Sequence, residues 1–395
     1  MALKYPLANG VWSTAANWNG GTVPVPGDDV RANGFTVTID VDINVLQIST
    51  AQLLPAAAGG SFVVATNRTL TCDIIAGTTT CLTSTVGNIV NIIGNMNGSA
   101  SSNTIGVSFT NSGSVLNITG NANAGTFGSF SPYGLSSAGT VNFVGNAFSG
   151  IGSSNAQLSG INITASGNLT FTGNSTANGS NSSGIICVGN STLNGTINGG
   201  TGISAGVRLT GGTHTINSDC FGGTGGTSHG VIVSASTATF NGNIFAGNFN
   251  NSNAVQITTS TVTFNGNITG SASAAVALAV SVNDNVSNVV VSQMSFGLLG
   301  TVPVYGFVKF KNIGPTITVI KANSTTQQLV DPLTTDIPIA SNVRNGIVYA
   351  SGSLTGTLKV PPASSVAVGV PVDATVGTSV ITITDMGTLL ASYNI

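Results

Sequence analysis

Four stretches decide the fold: VNIIGN at residues 90–95, LNITGN at 116–121, VNFVGN at 141–146 and LTFTGN at 169–174. Each alternates apolar and polar residues over its first three positions and breaks at Gly-Asn one residue later. The phrase continues in looser form as TLNGT at 192–196, HTINSD at 214–219 and TFNGN at 239–243 and 263–267. Successive copies are roughly 21 to 28 residues apart, within the range of solenoid repeats. A second phrase, a small residue followed by alternating apolar positions, keeps step with the first. It reads IGVSF at Val107, YGL at Leu135, SGINI at Ile161, SGIICV at Ile185, AGVRL at Val207, HGVIV at Val231, NAVQI at Val255 and AAVAL at Val276. Two unrelated phrases that drift together through eight copies mark a structural unit.

About 24 residues holding two or three short strands of period 2, separated by Gly, Asn or Ser, match one turn of a parallel β-helix. Gly and Asn tolerate positive φ and let the chain turn a corner in one or two residues. The alternating Val, Ile, Leu and Phe point inward, Thr, Ser and Asn point outward, and like residues stack from coil to coil. Val207, Val231 and Val255 are thus expected above one another inside successive coils. Leucine-rich or helical repeats fit poorly, because Leu does not recur at fixed positions and no helical period appears.

Composition agrees. Charged residues make up 5% of the 395 and Glu is absent, so exposed helical faces have little to be built from. Hydrophobic residues reach 41% and mean hydropathy is +0.38, which separates the chain from disordered Gly/Ser/Asn-rich sequences. The longest apolar stretches, such as Ala274 to Val280, are far short of a membrane span. MALKYPLANG has neither a basic region with a long apolar core nor a cleavage site, so no Sec-type signal is expected. Cys72, Cys81, Cys187 and Cys220 read as reduced core thiols; if a bond formed, Cys72 and Cys81 would be the pair.

Three regions emerge. Residues 1–50, with the only tryptophans, Trp12 and Trp18, and the alternating FTVTIDVDINV at 35–45, are expected to be an N-terminal cap and first coil. Residues 51–286 form the β-helix, and 287–395 a separate C-terminal β region for oligomerisation or attachment. Charges follow the same division. From Ile74 to Val304 only Arg208, Asp219 and Asp284 are charged, and the other seventeen of the nine basic and eleven acidic residues lie towards the ends.

Chemistry has few residues to use. Polysaccharide-cleaving β-helices need clustered carboxylates or a base beside an acid or metal. The repeat region offers only Asp73, Asp219 and Asp284, far apart along the axis. Arg208, His214, Asp219 and His229 fall within about one coil. They read either as a lyase-like or anion-binding site or as solvated outward positions, and the second is expected. GGTGGTSHG lacks the helix and Lys of a phosphate-binding loop. Asp28 with Asp29, and Asp40 with Asp42, lie in a turn and on a strand face rather than in a calcium loop. Asn117, Asn174 and Asn190 begin sequons of the kind an Asn/Ser/Thr-rich chain produces by chance. Catalytic, cofactor and metal residues are therefore expected to be absent, and a net charge of −2 gives no case for nucleic acid or acidic membranes.

Both ends resemble structural proteins of tailed bacteriophages. WSTAANWNGGTVPVPGDDVRANGFTVTID (12–40) is similar to the start of virion proteins with a β-helical body. SNVRNGIVYASGSLTGTLKVPPASSVAVGVPVDATVGT (341–378) is similar to a segment near their ends. The matched segments cover under a quarter of the chain, and similar openings also precede β-helices in secreted bacterial proteins. The resemblance implies a fibre, spike or capsid-decorating appendage of the virion, often a homotrimer, made in the host cytoplasm. Its partners would be capsid or tail proteins, with a host-surface glycan contacted in some members. The alternative is a secreted β-helix that binds or cleaves carbohydrate.

Overall fold

In the computed structural model the described residues are 1–99, 105–125, 133–150, 158–164, 167–179, 182–201, 204–225, 228–245, 247, 252–266, 268–269, 280–291, 304–310, 348–349, 354–355, 371–372 and 375–376. The chain divides into two compact units, Met1–Thr326 and Gln327–Ile395. The first is a β-solenoid of about 10 turns, roughly 24 residues apart, whose described strands pair in parallel with strands one coil away.

Three parallel sheets run along the solenoid. Sheet I carries the Gly-Asn phrase, as Ile89–Ile93, Val115–Thr119, Thr140–Val144, the first parts of Asn168–Thr176 and Asn190–Asn198, then Thr213–Ile216, Thr237–Phe240 and Thr261–Phe264. Sheet II follows the corner with short strands such as Met96–Asn97, Ala122–Asn123, Ala147–Phe148, Asp219–Phe221 and Ile244–Phe245. Sheet III carries the second phrase, from Ile105–Phe109 and Tyr133–Ser137 through Ser204–Thr210 and His229–Ser234 to Val255–Thr258.

The expected stacking holds. Val107, Leu135, Ile161, Ile185, Val207, Val231 and Val255 are registered on one another in successive coils of sheet III, and all are fully buried. Val276 lies outside the described residues, and the residue registered on Val255 is Val280. Sheet I contributes a second inner column whose aromatic members stack: Phe143 on Phe171 at 5.6 Å and Phe240 on Phe264 at 4.9 Å between ring centres. Such a column removes apolar surface from water in proportion to its area and adds the packing of like rings.

The corner between sheets I and II explains the Gly-Asn signature. Gly120 and Gly145 have φ of +151° and +141°, and a Cβ on them would lie 2.0 and 1.8 Å from the carbonyl oxygens of Gly94 and Gly120 in the coil before. No other residue fits so close a backbone approach. Beside them the asparagines form a ladder. Asn121 donates its backbone N–H (3.0 Å) and side-chain Nδ2 (3.1 Å) to Oδ1 of Asn95, and Asn146 repeats both bonds to Asn121 at 3.0 and 3.1 Å. The ladder supplies acceptors where the sheet is interrupted, so the corner leaves no backbone donor orphaned.

Residues 1–50 hold more than a cap and one coil. Sheet II gains rungs there at Leu3–Lys4, at Asp29–Arg31 and at the end of Ile43–Ser49. Trp12 and Trp18 meet edge to face at 4.9 Å, Trp18 donates its indole N–H to the Trp12 carbonyl at 2.8 Å, and Trp12 packs on Phe62. The two rings, 2% and 1% exposed, close the core at this end. At the other end the ladder runs past 286. Val280–Val291 pairs with both Val255–Thr258 and Thr261–Phe264, and Val304–Phe310 pairs with Val280–Val291 in turn. Pairing needs only extended backbone, so it continues after the corner phrase that reveals the repeat has gone. The second unit contains two antiparallel pairs, Val348–Tyr349 with Leu354–Thr355 and Pro371–Val372 with Thr375–Val376.

Among the described residues, helix is confined to two 3-10 turns, Ala15–Asn17 and Asn19–Gly21, and no helix is long and apolar enough to cross a membrane. Val231→Asp places an unpaired carboxylate in the fully buried sheet III column. It should cost several kcal/mol, read as a lower urea midpoint, and an unchanged midpoint would contradict the register.

Candidate functional site

The corner column accounts for two of the three acids of the repeat region, Asp73 and Asp219. In sheet II register, Asp73 lies directly before Asn95, and Asn95 donates its backbone N–H (2.8 Å) and Nδ2 (3.0 Å) to Asp73 Oδ1. The ladder then runs through Asn121 and Asn146 to Asn174, whose backbone N–H reaches Asn146 Oδ1 at 3.2 Å. At the next rung Thr196 occupies the position. One rung later Asp219, registered on Thr196, starts the ladder again: Asn243 gives it the same two bonds at 2.7 and 3.1 Å. A carboxylate accepts and does not donate, so it suits the first position of a ladder, where only acceptance from the coil above is needed.

Arg208, His214, Asp219 and His229 do not converge. His214 faces the core of sheet I, 1% exposed, registered between Ser191 and Ala238. Ser191 Oγ lies 2.9 Å from Nδ1, and Nε2 donates to the Gly211 carbonyl at 2.6 Å, which fits a neutral ring. Burial pushes its pKa down, against a smaller upward pull from the Gly211 bond. This corrects the expectation that the four are solvated outward positions: threonines 213 and 215 take the outer face, and period 2 turns the residue between them inward. Asp219 belongs to the corner. Arg208 and His229 lie on neighbouring rungs of sheet III, where Arg208 Nε donates to Ser183 Oγ at 3.0 Å. His229 is buried, and its Nδ1 has no hydrogen-bond partner. Burial first, then the Arg208 charge, push its pKa down to about 4, opposed by a bond to the Asn253 backbone. Ser183 was not singled out by sequence reasoning, since nothing distinguishes it among the many serines.

The paired aspartates near the start are likewise engaged with protein groups. Asp28 accepts from the backbone N–H of Ala2 and Val25, both at 3.1 Å. Asp29 pairs with Arg31 at 2.8 Å. Asp40 accepts from the Ser13 backbone N–H and hydroxyl, and Asp42 from the Thr69 backbone N–H. Among the described residues no three of His, Cys, Asp or Glu are grouped as a metal would require. All four cysteines are free and buried, as expected for core thiols, and burial pushes the Cys81 and Cys187 thiols up to about 12. Thiols so raised are poor nucleophiles.

No family model matches the chain, and no curated protein or solved structure does so either. The site must be read from its own geometry, which holds no nucleophile beside an accessible base and no pair of free carboxylates among the described residues.

Two measurements probe this arrangement. Asp219→Asn keeps the Oδ1 acceptor and should leave the urea midpoint within about 0.5 kcal/mol, whereas Asp219→Leu strands two Asn243 donors and should cost about 1–3 kcal/mol. Equal losses for the two would refute the ladder role. His229 binds its proton more weakly folded than unfolded, so its contribution to stability is complete above the unfolded value near 6.5 and is lost as pH falls towards 4. The loss is of order 3 kcal/mol at full protonation. Urea midpoints should fall between pH 7 and 5 in the native chain and fall less in His229→Gln; parallel curves would rule the histidine out.

Proposed function

We propose that the protein is a non-enzymatic structural appendage of a phage virion, a fibre, spike or capsid-decorating protein, assembled as a homotrimer. The observation that carries this reading is that two of the solenoid's few acids, Asp73 and Asp219, are spent on structure. Asp73 and Asp219 head the asparagine ladder and so are not free to act as an acid and base pair. A stack of this kind is a rigid spacer whose sides present amides and hydroxyls, suited to carrying something rather than transforming it. The resemblance of residues 12–40 and 341–378 to virion proteins points the same way. Buried thiols fit synthesis in a reducing host cytoplasm, and a net charge of −2 leaves little repulsion between copies. Capsid or tail proteins would be its partners, with residues after about 286 as the attachment region.

Mass spectrometry of purified particles tests the reading, together with light scattering of the isolated chain. The chain should be found in virions and should scatter as a trimer at micromolar concentration. Absence from particles, with sugar released from polysaccharide by the isolated protein, would favour the secreted carbohydrate-active alternative.

A further inference from the structure

We propose that Arg208 is the centre of a carboxylate-binding site on the outer face of sheet III, whether or not the chain is a virion component. Arg208 is the only Lys or Arg between Arg68 and Lys309. It stands in an outward column with Asn162, Ile186, Ile232 and Gln256 in register along the sheet. Its side chain turns back along its own strand, because Nε bonds Ser183, and Ser183 is registered on Ala205 rather than on Arg208. The guanidinium is thereby brought to Ser183 and close enough to His229 for its charge to act on that ring.

The group is desolvated enough to lower its pKa, yet among the described residues no acid is paired with it. Among the described residues the sole ion pair is Arg31 with Asp29, and Asp219, the acid nearest in sequence, is committed to Asn243 in another sheet. His229 beside it has a buried Nδ1 without a partner and is neutral at physiological pH, so it neither repels nor shares the bound charge. With Nε held by Ser183, the guanidinium plane is fixed and its two terminal nitrogens remain without a protein acceptor among the described residues. That edge presents two parallel N–H donors, the geometry that a carboxylate accepts in bidentate fashion. A single cation matches a monoanion better than a phosphate dianion. The desolvation of the guanidinium makes the pairing stronger than on an open surface.

The test uses the full chain at low salt, with thermal shift and calorimetric titration against sodium acetate, sodium galacturonate and neutral galactose. Both carboxylates should raise Tm saturably and galactose should not. Galacturonate saturating at tenfold lower concentration than acetate identifies a sugar acid as the source; equal saturation identifies a simple carboxylate, and either result upholds the site. Arg208→Gln should weaken binding at least tenfold, Arg208→Lys should weaken it less, and Arg68→Gln should leave it unchanged, with circular dichroism confirming that all three fold. Equal responses to galactose and galacturonate, or an undiminished response in Arg208→Gln, would overturn the proposal. So would a chain that ignores every carboxylate but loses its oligomeric state in Arg208→Gln, since the counter-ion would then be an acid of a second copy.

Discussion

Close approach of backbones at one corner of each coil is the constraint on which the solenoid depends. Where sheet I turns into sheet II, the carbonyl of one glycine lies where the next glycine's Cβ would be, so each coil must offer a glycine at that point or bend differently. The approach also fixes register. A one-residue slip would carry Val207, Val231 and Val255 from the core to the surface together with every other inward residue of that sheet. The asparagine beside each glycine completes the device, because its Oδ1 receives the backbone N–H that the turn would otherwise leave without an acceptor. Corner, register and core are therefore one constraint seen at three levels.

The departure at HTINSD shows how the device tolerates error. Ser218 takes the place of the corner glycine and Asp219 that of the asparagine, one rung after Thr196 has interrupted the ladder. Ser218 Oγ is buried without a partner, a local cost of the substitution. Asp219 restores the acceptor and the ladder resumes at Asn243. The polar core pair Ser191 and His214 belongs to the same stretch, so the titratable residues near 208–229 cluster in sequence because the repeat is least regular there, while the three sheets send them in different directions.

Much of this was legible in the sequence, for reasons that differ by sheet. Sheets I and III announce themselves through alternation over several residues, and their columns match the two phrases as far as Val255 in sheet III. Sheet II does not, because strands such as Ala122–Asn123 and Ala147–Phe148 are too short to alternate. The inward His214 was readable from its flanking threonines and was obscured by the habit of treating histidine as polar and therefore outward. The carboxylate roles were hidden differently. Asp73 and Asp219 are ladder heads only because of what lies one coil above, a relation between residues 22 and 24 apart that local pattern does not carry.

Parallel in-register stacking also explains why the body is nearly free of charge. A residue repeated in one column meets its copy at about 4.8 Å. Two like charges at that distance repel by roughly 0.9 kcal/mol in water and about 3.5 kcal/mol at the effective dielectric near a protein surface. Repeated through several coils, the penalty would exceed what a domain typically has in reserve. Amides and hydroxyls face no such penalty: an asparagine column turns the same spacing into Nδ2 to Oδ1 bonds, as at Asn194, Asn217, Asn241 and Asn265, each 2.8 Å from the one before. A column of like residues therefore admits a charge only as a singleton, as at the ladder heads Asp73 and Asp219. Arg208 is such a singleton without a head to serve, and in a column of neutral neighbours its charge has no internal use.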